Sequence, residues 1–179
     1  MSSRLLGPAD QAGIDRLLIP GILAGMVAAV PMGLFAMVVA AIENRGFFRP
    51  MHQIAYVVAG DGSVRSLEAA LAEDPFVVHP QMVLFGVVTH LAVAGFFGAV
   101  FGVLAHRLRS RRKILLAGVL YGLAVMVFMG LIVLPIVALV LDAGDQISGI
   151  PSRIGWGTFA MQHVIYGLVL GRWPWPGAE

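Results

Sequence analysis

Four stretches of this chain carry no Asp, Glu, Lys or Arg over lengths that cross a bilayer: 17–42, 81–105, 114–141 and 154–171, the last closed by Arg172. A helix needs about 20 mostly apolar residues to span the hydrocarbon core. In lipid, such a run must satisfy its backbone polar groups within itself, which a helix does. Of the 179 residues, 59% are apolar and 12% charged, about half the 25% typical of a soluble domain. That balance excludes an ordinary soluble domain, a disordered tail and a nucleic-acid binder. The absence of cysteine excludes disulfides, thiolate metal sites and cysteine nucleophiles. The first run continues past Ala28 and Ala29, beyond the roughly 7–15 apolar residues of a leader, so it reads as a retained span.

Charge orients the spans. The connection His106-Arg107-Leu108-Arg109-Ser110-Arg111-Arg112-Lys113 has five formal positives and no acid, which marks it as cytoplasmic. Four spans then place both termini on that side, with Arg4, Arg16 and Arg172 against Asp10, Asp15 and Glu179, a net of +5. The opposite side holds Arg45, Arg49, Arg65 and Arg153 against Glu43, Asp61, Glu68, Glu73, Asp74, Asp142 and Asp145, a net of −3. Trp156, Trp173 and Trp175 stand at the expected ends of the last span, where interfacial aromatic belts form.

The expected fold is all-α, a polytopic membrane four-helix bundle in a bacterial cytoplasmic membrane. Its order is a cytoplasmic tail (1–16), span 17–42, an external connection (43–80), span 81–105, a basic cytoplasmic loop (106–113), span 114–141, an external loop (142–153), span 154–172 and a tail (173–179). The first external connection is too long for a tight turn. Ser63 is a candidate cap for a short helix through Leu67 and Leu71 to Glu73. Phe47, Phe48, Pro50, Met51, Ile54, Tyr56, Val57 and Val58 are apolar enough to rest on the membrane surface, making the connection an ordered lid.

The first and third spans match at an offset of 97: Gly21-Ile22-Leu23-Ala24-Gly25 with Val30-Pro31-Met32-Gly33-Leu34, against Gly118-Val119-Leu120-Tyr121-Gly122 with Val127-Phe128-Met129-Gly130-Leu131. The second and fourth match through His90, Ala94 and Gly98 against His163, Gly167 and Gly171. The bundle is therefore expected to be a tandem repeat of two-helix units, related by an axis along the membrane normal. Small residues recur every fourth position, including Gly21, Gly25, Gly33, Gly98, Gly102, Gly118, Gly122, Gly130, Gly167 and Gly171. Lipid-embedded helices associate by close backbone approach at such rows, and rows left facing lipid would suit other membrane subunits or a second copy.

His90 and His163 each stand nine residues inside their spans. Both are expected near the midplane, facing each other across the repeat axis. An ionisable residue at that depth is a functional-site candidate. Three roles stay open. Each neutral ring can bond Gln162, Thr89, Tyr121, Tyr166 or a carbonyl freed by Pro31 or Pro135. Paired imidazoles between glycine-lined helices can hold haem b or another metal. A titratable pair can also carry protons. On the external side, His79, His52, Met51 and Met82 form a His/Met group able to receive a soft ion such as Cu(I). No span contains Asp or Glu, and no phosphate loop, HExxH or nucleophile elbow occurs, so no self-contained enzyme is expected.

The Gly-rich opening through Pro31-Met32-Gly33, the Thr89-His90 helix with Gly95 and Gly98, Tyr121-Gly122 leading to Val133-Leu134-Pro135, and Gln162-His163-Val164-Ile165-Tyr166-Gly167 together resemble an uncharacterised family of small bacterial four-span membrane proteins. The resemblance implies an architecture and no catalytic residues. The expected role is a non-enzymatic accessory or assembly subunit of a membrane complex, or a homo-oligomer. The rivals are a small transporter or channel working through His90 and His163, and a haem or copper carrier.

Overall fold

The computed structural model describes residues 8–59, 61–106, 108–175 and 177, with side chains from Leu17 onward except those of 61–64. The charges of Arg4, Asp10, Asp15, Arg16, Asp61, Arg107 and Glu179, and the cap expected of Ser63, lie outside that description. The described secondary structure is entirely helical: α1 (Pro8–Ile42), α2 (Arg49–Ala55), α3 (Asp61–Glu73), α4 (Pro80–Ala105), α5 (Arg111–Phe128), a π-helical turn (Met129–Val133), α6 (Leu134–Val140), α7 (Asp145–Ser148), α8 (Ile150–Ile154) and α9 (Trp156–Arg172). Among the described residues, three segments are long and apolar enough to cross a membrane: Leu17–Ile42, Pro80–Ala105 and Arg111–Val140. The 17 residues of α9 reach only about 26 Å at 1.5 Å per residue. Two boundaries differ from the sequence expectation. Helix α1 extends back to Pro8, through part of the expected tail, and the loop 142–153 folds into α7 and α8.

The long helices pack as two hairpins. Helix α1 lies along α4 and α5 along α9, and α1 lies along α9, whereas α4 and α5 touch only sparsely. Glycine sets both hairpin contacts. A Cβ on Gly25 would stand 2.2 Å from the Ala94 carbonyl oxygen, and one on Gly98 2.3 Å from that of Gly21. In the second hairpin, a Cβ on Gly122 would stand 2.2 Å from the His163 carbonyl oxygen, and one on Gly167 2.2 Å from that of Gly118. Every clash is with backbone, so no side-chain movement relieves it. Dispersion between close-packed backbones holds lipid-embedded helices together, and Gly21, Gly25, Gly98, Gly118, Gly122, Gly167 and Gly171 are spent on it inside the hairpins. They do not form rows offered to other subunits. Gly102 meets both the Leu17 carbonyl oxygen, 3.0 Å from the position of an added Cβ, and the Trp175 ring at 3.1 Å, and Gly130 seats the ring of Trp156. Trp175 is not a belt residue. It is buried against Phe101 and donates its indole N–H to the Leu170 carbonyl at 2.8 Å, closing one end of the bundle.

The buried positions of α1 and of α5–α6 run in step, then slip by one. Gly21, Gly25, Ala28 and Gly33 pair with Gly118, Gly122, Val125 and Gly130 at an offset of 97; Ala36 and Ala40 pair with Leu134 and Ala138 at 98. The π-helical turn lies at the slip, and a π-bulge is the insertion of one residue into an α-helix. Both helices then end alike, on left-handed residues, Asn44 (φ 55) and Asp142 (φ 50). The next amides, of Arg45 and Ala143, bond the Ala40 and Ala138 carbonyls at 2.8 and 2.9 Å. This six-to-one closure satisfies carbonyls that a helix end leaves open.

Helix α2 does not rest on a membrane surface. Pro50, Met51, His52, Gln53 and Ala55 are all buried, and α2 packs into α4. Gly86 admits it: a Cβ there would stand 2.0 Å from the Met51 carbonyl oxygen. Helix α3 covers α2 from outside through Leu67 and Leu71, which pack with Ala55 and Tyr56. Glu68 accepts a hydrogen bond from the Tyr56 hydroxyl and pairs with Arg49 at 3.4 Å. Burial, then the bond to Glu68, pushes the Tyr56 hydroxyl pKa above its ordinary value.

Candidate functional site: an apolar cavity with two oriented imidazoles

Because α4 and α5 meet only sparsely, a space remains beside them. They touch through the Phe97–Phe128 rings, 6.2 Å between centroids, and through the Tyr121 hydroxyl, which donates to the Phe97 carbonyl at 2.7 Å. The space is a cavity of about 600 Å³, within the range of small-molecule sites. Its lining is overwhelmingly apolar, with Met32, Phe96, Phe97, Phe128 and Phe159 among the walls, and Met51 and Ile54 of α2 facing it from one end. The π-helical turn contributes Met129 and Val133. The polar side chains are few: Arg45, Gln53, Thr89, His90, Thr158, Gln162, His163 and Tyr166.

The histidines are held by backbone carbonyls, which fixes their tautomers. A carbonyl only accepts. His90 therefore carries its proton on Nε2, donating to the Ala29 carbonyl at 3.1 Å, and keeps Nδ1 as an acceptor. His163 carries its proton on Nδ1, donating to the Phe159 carbonyl one turn back at 2.8 Å, and keeps Nε2 as an acceptor. The partners differ from those expected. Gln162, Thr89 and the tyrosines are not used, and the acceptor for His90 is Ala29 rather than the Val27 carbonyl whose helical bond Pro31 removes. Gly33 packs beside the His90 ring, where a Cβ would meet Nε2 at 3.4 Å, an ordinary contact distance.

The two rings face one cavity but are not level. The Ala94 carbonyl sits on Gly25 as the His163 carbonyl sits on Gly122. Register thus matches His163 to Ala94, four residues past His90. Four residues are about 6 Å along a helix, so His90 stands one turn nearer α2. The sequence expectation pairs His163 with His90, whereas the glycine contacts set His163 beside Gly122 as Ala94 is set beside Gly25.

The other expected site residues divide. Tyr166 lines the cavity and donates to the Ala94 carbonyl at 2.6 Å; Tyr121 lies below it, bonded to Phe97. Thr89 and Gln162 line it, and neither side chain bonds a described residue. Gln53, buried on α2, also lines it. Sequence reasoning passed over Gln53 because it sits in an external connection, and its only signal is an amide inside an otherwise apolar stretch.

The external His/Met group is split. Met51 turns toward Gly33 and the cavity. His52 and His79 come together away from it, ring centroids 6.3 Å apart. Burial, then the nearby His79 and Arg49, lowers the His52 pKa to about 4. Among the described residues no three His, Asp or Glu side chains converge as metal ligands. A haem between His90 and His163 does not fit the placed rings, since the His90 Nε2 is occupied by Ala29. No family model, curated protein or solved structure matches the chain.

Proposed function

We propose that this is a non-enzymatic integral membrane protein that holds a lipid-soluble, hydroxyl-bearing molecule, such as a prenylated quinol or isoprenoid alcohol, in the cavity between α4 and α5. One observation carries the proposal. Both imidazoles line the same apolar cavity and spend their only N–H on backbone carbonyls, which leaves each ring one acceptor nitrogen. Unpartnered acceptors in a dry site cost free energy, and a ligand hydroxyl satisfies them. The Thr89 hydroxyl and the Gln162 and Gln53 amides supply bonds of either sense to a ligand oxygen. The walls receive the apolar body.

Around that site we infer four spans, with α9 as the fourth, arising from a duplicated helical hairpin. Both termini and the basic loop then face the cytoplasm of a bacterial inner membrane. Equivalent glycine contacts, equivalent caps and the charge asymmetry of the two ends support this arrangement. A proton path through the histidines is favoured less, because each ring has one nitrogen tied to a carbonyl. A role as an accessory subunit is compatible with ligand holding, but the glycine rows, consumed inside the hairpins, give it no support.

The test is extraction of native ligand from protein purified in mild detergent, followed by quinol and quinone titration. The expected result is a co-purifying hydroxylated lipid, and quinol bound at least about ten-fold more tightly than its quinone, the value of one good hydrogen bond. His163→Phe removes the preference. Equal binding of both forms, or a preference surviving in both His90→Phe and His163→Phe, overturns the reading.

A further inference from the structure

We propose that His52 and His79 form a site for Cu(I) at the end of the bundle that carries α2 and α3, separate from the cavity. His52 is fully buried, and both of its ring nitrogens lack a hydrogen-bond partner; the Nε2 of His79 is buried and equally unpartnered. Three orphaned nitrogens on two adjacent rings are uncommon in a packed protein, where most buried polar atoms are satisfied. Neither ring reaches a carbonyl, as His90 and His163 do. A ligand shared by both rings would satisfy one nitrogen of each, which is two of the three.

The geometry selects the ion. A metal–nitrogen bond of about 2.0 Å, plus roughly 1 Å from nitrogen to ring centre, places two imidazoles on opposite sides of one ion with centroids about 6 Å apart, and closer when a third ligand bends the pair. The observed separation is 6.3 Å. The site has no carboxylate to serve Ca²⁺ or Mg²⁺, and two nitrogens fall short of the four ligands of structural zinc. Cu(I) accepts few ligands and favours imidazole with thioether. Met82 is the candidate thioether: it lies three residues past His79, the residue that caps α4, and is buried in the cluster that contains Ala55, three residues along α2 from His52. His79 is only partly buried, which leaves a way in from outside. The positive charge of nearby Arg49 is offset by Glu68.

The test titrates Cu(I), under ascorbate and without oxygen, into the detergent-purified full chain against a chromophoric Cu(I) chelator. One equivalent is expected to be withheld, with X-ray absorption showing two nitrogen neighbours and one sulfur. His79→Ala, at a half-buried position that tolerates truncation, abolishes retention. Met82→Leu, which keeps volume, weakens it about ten-fold, and His163→Phe leaves it unchanged. No retention by the wild-type chain overturns the proposal, as does retention that survives both His52→Phe and His79→Ala. Zinc held as tightly as Cu(I) overturns the choice of ion.

Discussion

At the scale of single residues, the same glycine type has opposite meanings at different positions, and backbone proximity decides which. Gly25 and Gly122 each face a carbonyl oxygen at 2.2 Å from the position of an added Cβ, while Gly157 in α9 has nothing within 4 Å. Gly25→Ala and Gly122→Ala push helices apart and are expected to cost about 1–3 kcal/mol each. Gly157→Ala is expected to be neutral or to stabilise α9 by up to about 1 kcal/mol, since glycine is a poor helix former. Thermal unfolding of the three variants in one detergent checks the order. Equal effects at Gly25 and Gly157 would mean the hairpin contact is looser than described. Part of this was readable from the residues. A four-residue spacing marks Gly25 and Gly122 as packing positions, but the turn that each meets is not encoded locally.

At the scale of elements, the π-helical turn Met129–Val133 and the inserted α2 distinguish the two hairpins on the side where the cavity lies. The slip from 97 to 98 between Gly33/Gly130 and Ala36/Leu134 identifies one residue as surplus to a regular helix. Deleting Ile132, a lipid-facing residue 46% exposed, restores a three-residue step from Gly130 to Leu134, the step between Gly33 and Ala36. The expected product is folded, with unchanged helix content by circular dichroism. Met129, Val133, Leu134 and Val137 are turned relative to the cavity, and ligand binding falls at least ten-fold. A deletion variant that binds as wild type would detach the bulge from the site. The long helices were legible because uncharged runs of that length have one fold in lipid. The bulge was not, since a one-residue insertion changes no composition and shows only in which residues are buried. The inward turn of α2 was also hidden. Its enabling signal is Gly86, one of 22 glycines.

At the scale of the whole molecule, orientation governs which side feeds each site. The end bearing α2, α3, α7 and α8 has the cavity-lining Arg45 and Ile150 and the His52–His79 pair; the opposite end has the exposed Arg111, Arg112 and Lys113. Positive residues stay on the cytoplasmic side during insertion, so the cavity and the imidazole pair should open outward. A chain without cysteine makes the measurement clean. Ser110→Cys is expected to react with a membrane-impermeant maleimide only after cells are opened, and Ser148→Cys, at the other end, in intact cells. With α9 as a true span, a cysteine at exposed Pro174 should behave like Ser110→Cys. If it instead labels from outside, α9 lies in the bundle without crossing. The 17 residues of α9 and the glycine seam with α5 would then serve packing alone, and the duplicated-hairpin account would fall with the fourth span. Protection of all three positions in opened cells would point instead to a covering subunit, the one outcome that would revive the accessory role on physical grounds.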